Sequence, residues 1–292
     1  MITVVGSLNI DFITMADRYP KLGETIIGES FSQAYGGKGA NQAVAAAKLS
    51  SKVNLIGAVG QDTFGDEYLA YLEKQAVSTN NVERVTHHTG TASITIAEED
   101  NAIIVTPGAN YSLTPADIDR HQDIIKQSTL VLIQLEVKND TVERALEIAY
   151  EAGVPVILNP APYRTIPNHW WPMVTYFTPN EHELALMLKE TTLDDEKRQK
   201  IITTRGDKGV TFYDEGEEVA ILPPKIHVVD TTGAGDTFNG ALAHFLAQDV
   251  PLKEALKMAV YAASMATTKL GAQSAMPHLT ELQAMVDESY VN

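Results

Sequence analysis

Short apolar runs alternate with helix-like segments through most of this chain, and that alternation restricts its fold more than any other feature. Residues 2–5, 53–59, 129–134, 154–158 and 175–178 are rich in Val, Ile, Leu and aromatic residues. Between them, residues 64–74, 139–152 and 181–188 read as helices. Strands that are apolar on both faces and joined by helices predict a mainly parallel sheet covered on both sides, a three-layer α/β/α domain. Ligands of such sheets bind outside the carboxyl ends of the strands. The polar residues at the strand exits are therefore candidate contacts: Asn9 and Asp11, Glu136, Asn159, Asn180 with Glu183, Thr204, and Asp230 with Thr232. Each alone is an ordinary turn or cap residue. Their repeated position raises them as a group.

Residues 12–35 depart from this pattern. Phe12, Thr14, Thr25, Ile27, Phe31 and Tyr35 lie in short β-prone pieces broken by Pro20, Gly23 and Gly28. Similar alternation returns at 91–96 and 102–105. These pieces predict a small second sheet, inserted at about 11–35 and 90–106 into one domain that spans 1–292. The edges and outer face of such a sheet invite pairing, so a lid over a site, shared between two subunits, is its expected use. Farther on, 201–203 reads as a short strand, 210–213 with 218–222 as a hairpin, and 252–269 and 280–288 as helices. The charged segment 189–205 reads as a solvated connector.

Two glycine-rich helix starts carry the chemistry. In Asp230-Thr231-Thr232-Gly233-Ala234-Gly235-Asp236-Thr237-Phe238-Asn239-Gly240 a turn runs straight into a helix, since Ala241, Leu242, Phe245 and Leu246 recur at helical spacing. The first amides of a helix have no internal partner, and the dipole adds partial positive charge there. Gly233, Ala234, Gly235 and Asp236 can thus bind an anion through backbone alone, with the Asp236 carboxylate placed to take a proton from an alcohol. A phosphate beside a base for a hydroxyl is the minimum for phosphorylating that hydroxyl. The competing reading is a turn with Asp236 as a helix N-terminal residue, worth ~1 kcal/mol as a cap; the stretch alone leaves both open. The second start is Gly36-Gly37-Lys38-Gly39-Ala40-Asn41, followed by small residues that allow close packing. It is no Walker A loop, because Gly-Lys-Ser/Thr occurs nowhere in the chain, and Gln42 stands where a dinucleotide fingerprint needs its third glycine. Dehydrogenase and P-loop readings lose their main support.

A formal charge of 22 − 38 = −16 argues against a nucleic-acid backbone or an anionic membrane as partner. There is no cysteine, hence no disulfide and no thiolate site. No signal peptide is visible at the start and no apolar run approaches the ~20 residues of a membrane span, so a cytoplasmic location is expected.

In this order the pieces resemble the ribokinase family of carbohydrate kinases along essentially the whole chain. The resemblance rests on Gly36-Gly37-Lys38-Gly39-Ala40-Asn41-Gln42-Ala43 and on Asp230 to Phe238, with Asn159-Pro160-Ala161-Pro162 and Thr178-Pro179-Asn180-Glu181-His182-Glu183 between them. It implies an enzyme that uses ATP to phosphorylate the 5-hydroxyl of D-ribose, with Asp236 as base and the 233–236 amides holding the transferring group. The sugar would lie against Asn9, Asp11, Gly37, Lys38, Gly39, Ala40, Asn41 and Glu136. ATP would lie against Asn180, Thr204, Arg205, Gly206, Asp207, Lys208, Gly209, Gly235 and Asp236. Mg2+ would be held near Glu183 through water. A monovalent cation, K+, would be held by Asp230, Thr232, Ala266, Lys269, Gly271 and Ala275. The inserted sheet would close over the sugar and form a homodimer contact. Three departures stand out. The stretch from 180 to 204 is short, without room for a helix plus a full strand; Ala275 replaces a frequent serine; and 257–261 offers no Asn for adenine. The alternatives are another sugar or nucleoside kinase, such as a fructokinase, or a non-catalytic sugar- or nucleotide-binding protein.

Overall fold

Strands buried on both faces build the centre of the molecule. The structure is a computed structural model that describes residues 1–98 and 100–291. β1 (Ile2–Val5) leads to β2 (Asn9–Met15) and β3 (Ser30–Gly36), then to α1 (Lys38–Lys48), β4 (Val53–Gly60), α2 (Thr63–Lys74), β5 (Val77–Val85), β6 (Gly90–Ala97) and β7 (Asp100–Thr106). Next come α3 (Pro115–Arg120), α4 (Gln122–Lys126), β8 (Leu130–Gln134), α5 (Asn139–Glu151), β9 (Val156–Asn159), β10 (Tyr176–Phe177) and α6 (Glu181–Glu190). The chain ends with α7 (Asp195–Gln199), β11 (Ile202–Thr204), β12 (Val210–Asp214), β13 (Glu217–Ile221), α8 (Ala234–Leu246), α9 (Leu252–Ala266), α10 (Ala272–Ala275) and α11 (Leu279–Val291).

The main sheet has six parallel strands in the order β10-β9-β8-β1-β4-β5. Every residue of β1, β4 and β8 is buried, which is why these strands read as continuous apolar runs. The chain moves from β1 to β4 on one side and places β8 on the other, so β1 and β8 flank the point where strand order reverses. The crevice at such a point is where open α/β sheets bind ligands. α1, α8 and α9 pack on one face of the sheet, and α3 to α5 on the other.

A second sheet of four strands, β3-β2-β6-β7, stands off this body, with β2 and β6 parallel and the outer pairs antiparallel. All seven residues of β7 are exposed. β11, β12 and β13 form an antiparallel sheet, and single bridges from Phe177 to Ile201 and from Asn180 to Thr204 join β11 to the edge of the main sheet.

Several elements differ from the sequence reading. Residues 16–29 hold no strand, although Thr25 and Ile27 look β-prone. β5 was not expected; it is an edge strand whose Asn80, Asn81, Glu83 and Arg84 hide the signal of Val77 and Val82. α9 stops at Ala266, not 269, and the last helix is longer than 280–288. The stretch from 180 to 204 holds α6, one turn of helix, α7, and only three residues of strand, β11. Asp194 starts α7 by accepting from the Lys197 amide, which the reading of 189–205 as a connector missed. Among the described residues no helix is long and apolar enough to cross a membrane.

The site depends on how closely α1 and α8 approach. A Cβ at Gly240 would lie 2.5 Å from the Ala45 Cβ and 2.6 Å from the Gln42 carbonyl oxygen. Alanine is intrinsically the better helix former by ~1 kcal/mol, yet Gly240→Ala should destabilise by about 1–3 kcal/mol through overpacking. Denaturant midpoints measure this. An unchanged or higher midpoint would show that the two helices part without cost.

Candidate active site

Both glycine-rich helix starts open on one cleft. Gly233 caps α8 with φ 76° and ψ 2°, and a Cβ there would sit 2.8 Å from the Ala272 Cβ, so geometry and space both require glycine. In the first turn the Ala234 amide donates to the Thr231 carbonyl at 3.2 Å and the Thr237 amide to the Gly233 carbonyl at 2.8 Å. Among the described residues the amides of Gly233, Gly235 and Asp236 find no acceptor. The uncommitted set expected over 233–236 is therefore three amides, not four. Gly235 is exposed, and a Cβ built on it meets nothing within 4 Å. The fold does not demand this glycine; it leaves the space before the amides open. At the other start, a Cβ on Gly39 would come within 2.4 Å of the Ser7 amide nitrogen. Glycine here lets α1 begin directly against the exit of β1.

Charged groups gather where these starts meet. Asp236 is buried, and its two oxygens accept from Asn41 Nδ2 at 2.8 Å and Gln42 Nε2 at 3.0 Å. Glu136 accepts from the Lys38 amide at 3.0 Å and from the Ser7 hydroxyl. Burial pulls the Lys38 ammonium down, but Asp236, Glu136 and Glu183 outweigh it and hold the group above its ordinary value. The Asp11 carboxyl is pushed up to about 7 by burial, then by the charges of Glu136 and Asp236. Asn9 is buried, with its Oδ1 accepting from Asn110 Nδ2 at 2.7 Å. Asn110 is itself fixed by the Leu8 amide at 2.9 Å.

A cleft of about 140 Å³ runs in front of Asp236, lined by Lys38, Asn159, Ala161, Thr178, Asn180, Glu183, Thr204, Gly233, Gly235 and Asn239. Asn180 and Glu183 cap α6 reciprocally, each side chain accepting from the other's amide at 2.8 Å. Burial lifts the Glu183 carboxyl above its ordinary range; the Asn180 amide and Lys38 offset this only in part. The turn after β11 is closed by the Arg205 amide donating to the Gly209 carbonyl at 2.8 Å. Arg205 pairs with Glu181, and Gly206, Asp207 and Lys208 are exposed. Of that turn's predicted contacts only Thr204 lines the cleft. A larger groove of about 450 Å³ between α6, α7 and β11 to β13 contains none of the predicted site residues.

Behind α8, Asp230 accepts from the Thr232 amide at 2.9 Å, the Thr232 hydroxyl at 2.7 Å and the Gly271 amide at 2.8 Å. Burial raises the Asp230 carboxyl, but these three donors together hold it below its ordinary value. The amides of Val229 and Asp230 both donate to the Thr267 carbonyl, which brings 266–271 against this carboxylate. Among the described residues the carbonyl oxygens of Ala266, Lys269, Gly271 and Ala275 accept no hydrogen bond. Nor do those residues contain a cluster of three or more His, Asp or Glu able to hold a metal ion.

Sequence reading missed Ser7, Gln42, Asn110, Asn239 and Gln273. Asn239 alone carried a usable signal: it lies three residues beyond Asp236, hence on the same helix face, and donates to the Gly235 carbonyl at 2.8 Å.

Comparison with known proteins covers the whole arrangement. The family model described as pfkB family carbohydrate kinase matches residues 1–279. A protein of Lactococcus lactis named ribokinase is 40% identical over 296 residues, covering 100% of this chain and 98% of the relative. A protein of Salmonella typhi named deoxyribokinase is 38% identical, covering 96% of both. The structure of Arabidopsis thaliana ribokinase complexed with ribose and ATP superposes with a TM-score of 0.89 at 31% identity, covering 97% of both chains.

Asp11 titrates near 7 in the folded chain against 3.8 when free. Its contribution to stability is complete below about pH 4 and is lost as pH rises through about 7. Asp11→Asn removes that loss, so its melting temperature should match the parent's below about pH 4, exceed it increasingly up to about pH 7 and hold that difference above. A pH-independent difference would show Asp11 to be an ordinary carboxylate.

Proposed function

The chain belongs to the pfkB family of carbohydrate kinases, and from that premise we propose that it transfers the γ-phosphoryl group of ATP to the 5-hydroxyl of D-ribose. One observation carries the chemistry: a buried carboxylate, Asp236, sits in the cleft beside three helix-start amides that have no acceptor. Phosphoryl transfer asks for positioning and charge stabilisation rather than covalent participation. Asp236 takes the proton of the sugar hydroxyl as that oxygen attacks the γ-phosphorus. The amides of Gly233, Gly235 and Asp236 receive the charge on the transferring group, aided by the dipole of α8.

The sugar is held by Asn9, Asp11, Asn41 and Glu136, with Gly37, Lys38, Gly39 and Ala40 forming the floor at the start of α1. ATP enters past Asn180 and Thr204, with the turn from Arg205 to Gly209 at its outer edge. Glu183 keeps one oxygen uncommitted in the cleft, which suits a magnesium ion held through water; bound there it would neutralise phosphate charge. For a potassium ion the fitting group is Asp230 with Thr232 and the four unpartnered carbonyls of Ala266, Lys269, Gly271 and Ala275, all hard oxygen donors behind the anion site. The four-stranded sheet serves as a lid over the sugar, its insertions interrupting a single domain. Phe31, Ile103 and Ile104 on that sheet are 65%, 53% and 71% exposed, an apolar surface suited to a second copy in a homodimer. The cytoplasm, where ATP is abundant, is the place of work.

ATP consumption tests this against D-ribose, 2-deoxyribose, fructose, other hexoses and nucleosides, with and without K+. D-ribose should give the highest kcat/KM, and K+ should raise it. Preference for 2-deoxyribose or fructose overturns the substrate assignment. Asp236→Asn should keep sugar and ATP binding and lose ~10²–10⁴-fold in kcat; near-normal turnover removes Asp236 as base. Gly235→Ala should hold or raise stability by about 0.4–1 kcal/mol, since its methyl group meets no protein atom. It should nonetheless cut kcat roughly 10–100-fold by intruding on the phosphoryl position.

A further inference from the structure

Behind Asp236 lies a chain of buried primary amides that, apart from Asn41 and Asp236 itself, touches none of the predicted sugar or nucleotide contacts. It has two arms. On one, Gln42 Nε2 donates to Asp236 Oδ1 at 3.0 Å and to Asn159 Oδ1 at 3.1 Å. Gln42 Oε1 in turn accepts from Gln134 Nε2 at 2.6 Å. On the other, Asn41 Nδ2 donates to Asp236 Oδ2 at 2.8 Å, and Asn41 Oδ1 accepts from Gln273 Nε2 at 2.8 Å. Gln273 Nε2 also reaches the Tyr68 hydroxyl at 2.9 Å, which donates to the Gly36 carbonyl at the end of β3. Gln42, Gln134, Gln273 and Tyr68 are all at most 3% exposed.

Each arm is two amides deep, and in each the N–H ends point toward the carboxylate. A negative charge at one end imposes that direction, because an ionised acceptor makes the stronger bond and polarises the bonds behind it. The cost shows at the far ends. Gln134 Oε1 and Gln273 Oε1 are buried and accept nothing among the described residues. An orphan acceptor of this kind typically destabilises a protein, so the fold tolerates two of them to aim four amides at one carboxylate.

We propose that Gln42 and Gln273 are positioning residues for the phosphoryl transfer, clamping the two oxygens of Asp236, the second through Asn41, so that the carboxylate faces the acceptor hydroxyl in a single orientation. This rests on Asp236 being the base. The Gln273 arm also ties that orientation to two other parts of the site. Gln273 lies on α10, near Gly271 whose amide donates to Asp230, and Tyr68 holds the root of the lid strand β3.

Gln42→Met tests the clamp, since it keeps the length and loses the donor. It should lower kcat roughly 10–100-fold, as small misplacements of reacting groups do, while the KM values for sugar and ATP stay within about threefold. Repeated in an Asp236→Asn background, Gln42→Met should change the residual rate by less than about twofold, because no base remains to be held. Equal proportional losses in both backgrounds, or an effect carried wholly by KM, overturn the proposal. If Gln42→Met does not fold, as judged by circular dichroism and melting, Tyr68→Phe carries the same cycle on the other arm. It removes the hydroxyl beside Gln273, with an expected kcat loss of about 3–10-fold in the parent and none in Asp236→Asn. Normal turnover of Asp236→Asn by itself overturns the base assignment, an outcome distinct from failure of the clamp alone.

Discussion

The contact between α1 and α8 sets the distances around Asp236. Gly240 lets the two helices approach until side-chain amides near the start of one reach the first-turn carboxylate of the other. Helix axes separated by ordinary side chains lie 8–10 Å apart. A wider spacing would leave Asp236 buried without donors, an arrangement that costs several kcal/mol and normally forces a carboxylate to stay neutral. Close packing of small residues, Ala43, Ala45, Ala46 and Ala47 on α1 and Gly240, Ala241 and Ala243 on α8, is thus a condition for holding Asp236 and not only for the core. The same approach aims two positive helix ends into one cleft.

That double focus explains how a chain of net charge −16 can offer an anion site. Backbone amides supply the attraction at short range, where the remote acidic surface is screened within about 10 Å at 0.1 M salt. Around them stand Asp11, Glu136, Glu183 and Asp236, with Lys38 as the shared cation. The carboxylates repel one another, and the raised values of Asp11 and Glu183 record this repulsion together with burial. In the proposed reaction, hydroxyl donors of the sugar would relieve that repulsion.

How much of this was legible in the sequence depends on the physics of each part. Buried parallel strands leave runs of apolar residues, so β1, β4, β8 and β9 could be read directly. Glycines forced by a left-handed cap or by backbone crossing leave short fixed patterns, so Gly233 and Gly39 marked both helix starts. β5 could not be read because an edge strand turns polar side chains to water and loses its period. The amide chain could not be read either. Gln42 and Gln134 are 92 residues apart and Asn41 and Gln273 are 232 apart; a primary amide has no periodicity and no charge to betray such a partner. Asn110 fixes Asn9 from 101 positions away for the same reason. The turn from Arg205 to Gly209 shows the opposite: an evident glycine pattern whose residues mostly stay outside the cleft.

Amides rather than lysine hold Asp236, the proposed base, and this choice has a consequence. A direct ion pair would orient Asp236 as well, but it would lower the carboxylate's readiness to accept a proton by the full Coulomb interaction of two close charges. Neutral N–H donors orient it without placing a full positive charge beside it. Lys38 meanwhile lines the cleft with its ammonium in no salt bridge among the described residues, although three carboxylates act on it. Its charge is near Asp236 without being bound to it. In the proposed transfer that charge would be available to the arriving phosphoryl group, dividing the work between a neutral clamp on Asp236 and an unattached cation.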